Sequence, residues 1–233
     1  MAVSLANLRA ANEKRWAAAK LTRPFNTAAE RLLAAKSRYQ AVEAKTGVPW
    51  FVIAVIHERE SSQLWSASLA QCDPWNRVST HVPKGRGPFN SWEEAAIDAL
   101  VNCAPYAARN EDWSVGGTLL MLEQYNGLGY AAKGVSSPYL WAGTDQYAAG
   151  KYVKDGVYDT TAVDKQLGCA GMIKALMTMD GNIRFVTTGA PAKPKDSPAA
   201  TADPPSAIPA STVQPPSAWA AFFMAIKTIF GRK

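Results

Sequence analysis

PWFVIAVIHERESS, Pro49 to Ser62, is apolar from Pro49 to Ile56 and turns polar abruptly at His57. Gly47 and Pro49 punctuate its start, so the stretch reads as a helix with proline in its first turn. Its opening residues are apolar on every face, which predicts a helix buried in the core. Everything chemical in the stretch is crowded into its end: His57, Glu58, Arg59, Glu60 and Ser61.

His57-Glu58 has the form of the zinc-protease signature H-E-x-x-H, but Ser61 stands where the second histidine would be. The chain has only two histidines, His57 and His81, and no C-x-x-C pair. A zinc site would need ligands gathered from scattered places, so no metal is expected. His57 reads instead as a hydrogen-bonded residue at the end of a buried helix. A cysteine nucleophile needs a histidine partner. Cys72 is followed only by His81, and Cys103 and Cys169 by none, while no G-x-S-x-G marks a serine hydrolase. Cys103 and Cys169 read as core fillers.

Carboxylates remain. Glu60 shares a helix face with Ile53 and Ile56, and it sits at the negative end of the helix dipole. Desolvation and the dipole both raise a carboxyl pKa, as a general acid in glycoside cleavage requires. Glu58 points towards Phe51 and Val55 beside Arg59, and reads as a salt-bridged structural residue.

Outward from this helix, residues 1–46 read as two alanine-rich helices, with Thr27-x-x-Glu30 as a capping box opening the second. Residues 61–90 look irregular, with RVSTHV able to form a short strand pair. Ser91-x-x-Glu94 is a second capping box, for a helix to about Cys103. A helix from Val115 to Tyr125 runs into YNGLGY. The aromatic- and glycine-rich residues 128–158 suit loops lining a cleft, and a last long helix is expected from Thr161 to Met179, stopping at Gly181.

From Thr187 the composition changes. Residues 187–217 hold eight of the chain's fifteen prolines and no aromatic residue, an extended linker. In residues 218–233, Trp219, Phe222, Phe223, Ile226, Ile229 and Phe230 recur at helical spacing. That segment is too short to span a bilayer, and Lys227 interrupts it. An amphipathic helix at a membrane surface is expected, with folding back onto the domain as the alternative. The net charge of +6 favours polyanions in general, although no single basic cluster stands out. Three cysteines make no disulfide framework, and the charged N-terminus lacks the apolar core of a secretory signal. The chain is therefore expected to accumulate in the cytoplasm with its thiols reduced.

Three segments carry a resemblance when taken in order: the apolar helix ending in Glu60-Ser61, GGTLLMLEQYNGLGY, and SPYLWAGTDQYAAGKY. Together they resemble the lysozyme superfamily, in particular goose-type lysozymes and lytic transglycosylases, over roughly residues 45–180. They are most similar to phage and prophage lysozyme-family proteins. The resemblance implies a mainly α, lysozyme-like fold with a small irregular or β region: residues 1–186 as the catalytic domain (1–46 an N-terminal helical part, 47–186 the core), then the linker and the C-terminal helix. It implies cleavage of the β-1,4 bond between N-acetylmuramic acid and N-acetylglucosamine, with Glu60 protonating the glycosidic oxygen.

The resemblance places Ser61, Tyr125 and Asn126 at the substrate, the latter two under the scissile sugar. Tyr139, Trp141 and Tyr147 would line the glycan groove, or alternatively pack the core. The Gly-Leu-Met-Gln signature of the transglycosylases is absent. Instead Asp73 and Thr80 follow Glu60 in an order similar to that of small phage lysozymes, with longer gaps. Asp73 would serve as a second catalytic carboxylate with Thr80, or Asp73-Pro74 is a turn former. The expectation is an endolysin hydrolysing peptidoglycan strands, released through a separate pore to act in the periplasm. It would need no cofactor, bind no nucleic acid and work as a monomer. A lytic transglycosylase and a non-catalytic virion glycan-binding protein are the alternatives.

Overall fold

The computed structural model describes residues 3–186, so the linker and amphipathic helix expected over 187–233 lie outside the described residues. The described chain is mainly helical. Its centre is α4 (Trp50–Ser61), in which every residue except Glu58 is buried. The apolar run thus becomes the core helix its composition predicts. Around it pack α2 (Asn26–Ala34), α3 (Lys36–Thr46), α6 (Val115–Asn126) and α9 (Cys169–Met179). Helix α1 (Leu5–Ala18) lies along α6, and α5 (Trp92–Asn102) against α3. Two single-turn helices, α7 (Gly129–Ala132) and α8 (Pro138–Trp141), follow α6. Among the described residues no helix is long and apolar enough to cross a membrane.

The ends of these helices follow local chemistry. Gly47, at φ 73°, closes α3 in the left-handed conformation that glycine adopts most cheaply, and its N–H donates to the Glu43 carbonyl at 2.8 Å. Pro49 is the N-cap of α4 rather than its first helical residue. Ser91 caps α5 as expected, its hydroxyl accepting from the Glu94 N–H at 3.1 Å. The Glu94 carboxylate reaches back to the Asn90 N–H at 2.6 Å instead of to Ser91.

Four expectations are corrected. Residues 1–46 form three helices, because the chain breaks at Ala35 between α2 and α3. The Thr27 capping box does not form: α2 already begins at Asn26, with Phe25 as its N-cap, so Thr27 lies within the first turn. No strand pair forms in RVSTHV, where backbone N–H groups are taken up by the Asp73 carboxylate. The long terminal helix starts at Cys169, not Thr161. Asp159 Oδ1 accepts from the N–H groups of Thr161 and Ala162, and Asp164 Oδ1 from that of Gln166, so side chains replace the helical acceptors there. Gly168, just before α9, lies so close to α8 that a Cβ would collide with the Leu140 carbonyl.

The sheet lies in the stretch read as loops. Strands β1 (Lys151–Lys154) and β2 (Val157–Asp159) pair antiparallel, Tyr152 opposite Tyr158, across a turn at Asp155-Gly156. Tyr130, Tyr152 and Tyr158 form an edge-to-face cluster beneath them, with ring centroids 5.2–6.2 Å apart. The hairpin is thereby tied to α7.

Candidate active site

Glu60 occupies the last turn of α4 and is 8% exposed. Ser62 and Gln63 follow it at φ 52° and 62°, so two consecutive non-glycine residues in the left-handed region turn the chain sharply away. Such residues cost energy and tend to persist where surrounding contacts hold a site in place. The Ser62 and Gln63 N–H groups donate to the carbonyls of Glu58 and His57, at 2.9 and 3.2 Å.

The acid is built from five segments. Tyr139, on α8, donates its hydroxyl to Glu60 Oε1 at 2.9 Å. Tyr125 from the end of α6, Cys72 from the 62–91 loop and Cys169 from the start of α9 each feel the Glu60 charge. Burial raises the Glu60 carboxyl to about 7, against the opposing pull of the Tyr139 hydroxyl and the Arg59 guanidinium. A carboxyl poised there is protonated in a large fraction of molecules at neutral pH, the state a proton donor needs.

Arg59, adjacent in sequence, is also buried. Its Nη2 donates to Asp164 Oδ2 at 2.9 Å and its Nη1 to the Leu167 carbonyl at 3.3 Å. Its guanidinium lies 4.9 Å from the Tyr139 ring centroid. Lys151 on β1 completes the group, 3.2 Å from Asp164 Oδ1. Burial alone would raise Asp164, but Arg59 and Lys151 hold its carboxyl down at about 2.

Asp73 and Thr80, paired in the sequence reading, are brought together. Asp73 Oδ2 accepts from the N–H groups of Thr80 and His81, at 2.7 and 3.0 Å, and at 3.5 Å from the Thr80 hydroxyl. Asp73 Oδ1 lies 2.6 Å from His81 Nδ1. Burial works to raise this carboxyl, but the His81 and Thr80 contacts together keep it below the usual range. An ionised carboxylate only accepts, so His81 carries its proton on Nδ1. Cys72 feels both Glu60 and Asp73, and is pushed up to about 12, chiefly by burial.

The other expected contacts divide. Tyr125 is half-buried, its hydroxyl donating to the Leu69 carbonyl at 3.3 Å, and Asn126 is buried beside it. Tyr147 braces the hairpin: its hydroxyl accepts from the Asp164 N–H at 3.0 Å and donates to the Gly150 carbonyl at 3.2 Å. Ser61 and Trp141 are fully buried, and the Ser61 hydroxyl donates to the His57 carbonyl at 3.1 Å. Neither has exposed surface in this structure, which for Trp141 favours the alternative of core packing and gives Ser61 a packing role as well.

His57 is a core histidine. A carbonyl can only accept, so Nε2 donates to the Leu64 carbonyl, and Nδ1 accepts a hydrogen bond from the Tyr39 hydroxyl at 3.0 Å. Burial drops His57 to about 4, so it is neutral at pH 7. Among the described residues no group of three His, Cys, Asp and Glu side chains is placed to hold a metal.

Comparison with known protein families, curated proteins and solved structures yields no match. What the site can do therefore follows from its own chemistry. One group the sequence reading missed is Glu123, on α6. It is 2% exposed, and burial raises it to about 7 against the opposing influence of Ser137, Arg15 and Asn12. Its only sequence signal was a lone acid in the apolar run GGTLLMLEQ.

Proposed function

We propose that the chain is a lysozyme-like, peptidoglycan-cleaving glycosidase in which Glu60 is the general acid that protonates the bridging oxygen between N-acetylmuramic acid and N-acetylglucosamine. The observation that carries this reading is the Glu60 carboxyl, raised to about 7 by burial at the end of the core helix and held by the Tyr139 hydroxyl at 2.9 Å. Two of the segments on which the family resemblance rests, Glu60-Ser61 and SPYLW, thus meet through one hydrogen bond. Tyr125 closes the same site. As a general acid Glu60 would give its proton to the leaving sugar as an oxocarbenium-like transition state develops. In this reading the protein is an endolysin that reaches the wall through a separate pore, and residues 218–233 engage the membrane.

Asp73, ionised across the working range, would stabilise positive charge at the sugar or activate water. One observation favours a second reading, lytic transglycosylation. Both Asp73 oxygens already accept from Thr80 and His81, which makes Asp73 a weak base for water. Intramolecular attack by the muramic hydroxyl needs no such base. Mass spectrometry of digested wall separates the two: reducing muramic ends mark hydrolysis, 1,6-anhydro ends mark transglycosylation. Glu60→Gln should abolish either product, and undiminished cleavage by that variant would overturn the assignment of Glu60.

A further inference from the structure

Among the described residues, Arg59 is the charged group whose field bears on the Glu60 proton. From α4 itself Arg59 and Glu58 are near, and Glu58 is engaged by Gln63 Nε2 at 2.6 Å and by Arg31 at 3.6 Å. From α6, α8, α9 and the 62–91 loop the facing groups are Tyr125, Tyr139, Cys169 and Cys72, all held neutral because burial raises each of them. Behind Arg59 stand Asp164 and Lys151, with Tyr130 and Tyr147 around them, both also raised chiefly by burial.

Arg59, Asp164 and Lys151 form a chain of three charges with side chains only 6%, 5% and 15% exposed. Its sum is one positive charge. Removing the carboxylate would double that sum, and removing Lys151 would cancel it. Poorly solvated charges are weakly screened, so either change is felt at neighbouring groups. Arg59 also stacks under the Tyr139 ring, whose hydroxyl holds Glu60, so the charge chain ends against the acid's own hydrogen-bond donor.

From this geometry we infer that Asp164 and Lys151 are positioning residues for Glu60: by fixing and partly neutralising Arg59 they set how readily Glu60 parts with its proton. The inference rests on the reading of Glu60 as the acid. It makes the hairpin a tuning element of the site, since Lys151 reaches the charge chain from β1.

The two charge-removing variants have opposite signs. Asp164→Asn leaves Arg59 uncompensated and should lower the Glu60 pKa, whereas Lys151→Met should raise it, each by roughly half a unit to one unit. The measurement is a carbon-detected NMR titration of side-chain-labelled glutamates in the full chain, with the Glu60 signal assigned from its loss in Glu60→Gln. The alkaline limb of wall clearing should move in the same two directions. Shifts of the same sign, or none, in the titration would overturn the inference, because loss of packing alone has no reason to change sign. If Asp164→Asn fails to fold, Lys151→Met, at the more exposed end of the chain of charges, decides alone. Opposite shifts in a protein that cleaves no wall would leave this coupling standing and sink the glycosidase reading instead.

Discussion

The Tyr139 hydroxyl donates to Glu60 Oε1 at 2.9 Å, joining two side chains 79 residues apart in the chain. A hydroxyl donor favours the ionised carboxylate and so opposes the burial that raises Glu60. Tyr139→Phe keeps the ring over Arg59 and removes only the donor. Glu60 should then titrate higher, by roughly half a unit to one unit, and the alkaline limb of activity should move up with it. A pH profile of wall clearing checks this; an unmoved limb would mean the hydroxyl holds position without tuning the acid.

Glu60 should also leave a mark on stability. Its folded value of about 7 lies above the ordinary 4.5, so the folded protein holds this proton more tightly than the unfolded chain does. That contribution is fully present below the unfolded value and is lost as pH rises through the folded one. Glu60→Gln has no such loss and still accepts from Tyr139. It should be more stable than the parent at pH 8, by roughly 1–3 kcal/mol, and near parity at pH 4. Thermal melts at the two pH values read the difference.

What was legible in the sequence was whatever one local pattern could settle. The run from Pro49 to Ile56 is apolar on all faces, and no environment but the core accommodates it. Ser91 and Thr27 begin equally good capping boxes, yet only Ser91 caps a helix, because Phe25 and Asn26 have already started α2 upstream of Thr27. Asp155-Gly156 between Tyr152-Val153 and Val157-Tyr158 was a readable hairpin turn, hidden by the glycine and aromatic content around it. From local chemistry alone the site was legible only at Glu60; Tyr125, Tyr139, Asp73 and Thr80 were named only through the resemblance. That Glu60 ends a buried helix can be read from α4 alone, but Arg59 meets Asp164 across 105 positions of sequence, and no local periodicity records that contact.

Glu123 tests whether a raised carboxyl is enough to mark chemistry. Like Glu60 it is buried and raised to about 7, but the groups that act on it are Ser137 and, from α1, Arg15 and Asn12, while the Tyr139 hydroxyl is given to Glu60. Glu123→Gln should therefore reproduce the stability signature, gaining at pH 8 and not at pH 4, while wall clearing stays at the parental rate. Parallel melts and clearing assays on the two glutamine variants separate the pair. Loss of clearing in Glu123→Gln at unchanged stability would move the acid's role to Glu123.

Asp73 organises its part of the 62–91 loop through four hydrogen bonds from two residues, and those bonds define what its removal should do. Asp73→Asn loses the charge and one acceptor, so His81 and Thr80 should loosen first. Hydrogen exchange at the Thr80 and His81 amides should speed up, with a stability loss of about 1–2 kcal/mol at pH 7. Because the folded carboxyl titrates below its ordinary value, its contribution is present above the unfolded pKa and vanishes as pH falls through the folded one. Parent and variant should thus converge in acid. If Asp73 only organises the loop, cleavage should fall in proportion to that loosening and Thr80→Ala should mimic it in part. If cleavage disappears while both amides stay protected, Asp73 acts on the sugar directly, and hydrolysis rather than intramolecular attack becomes the chemistry the site performs.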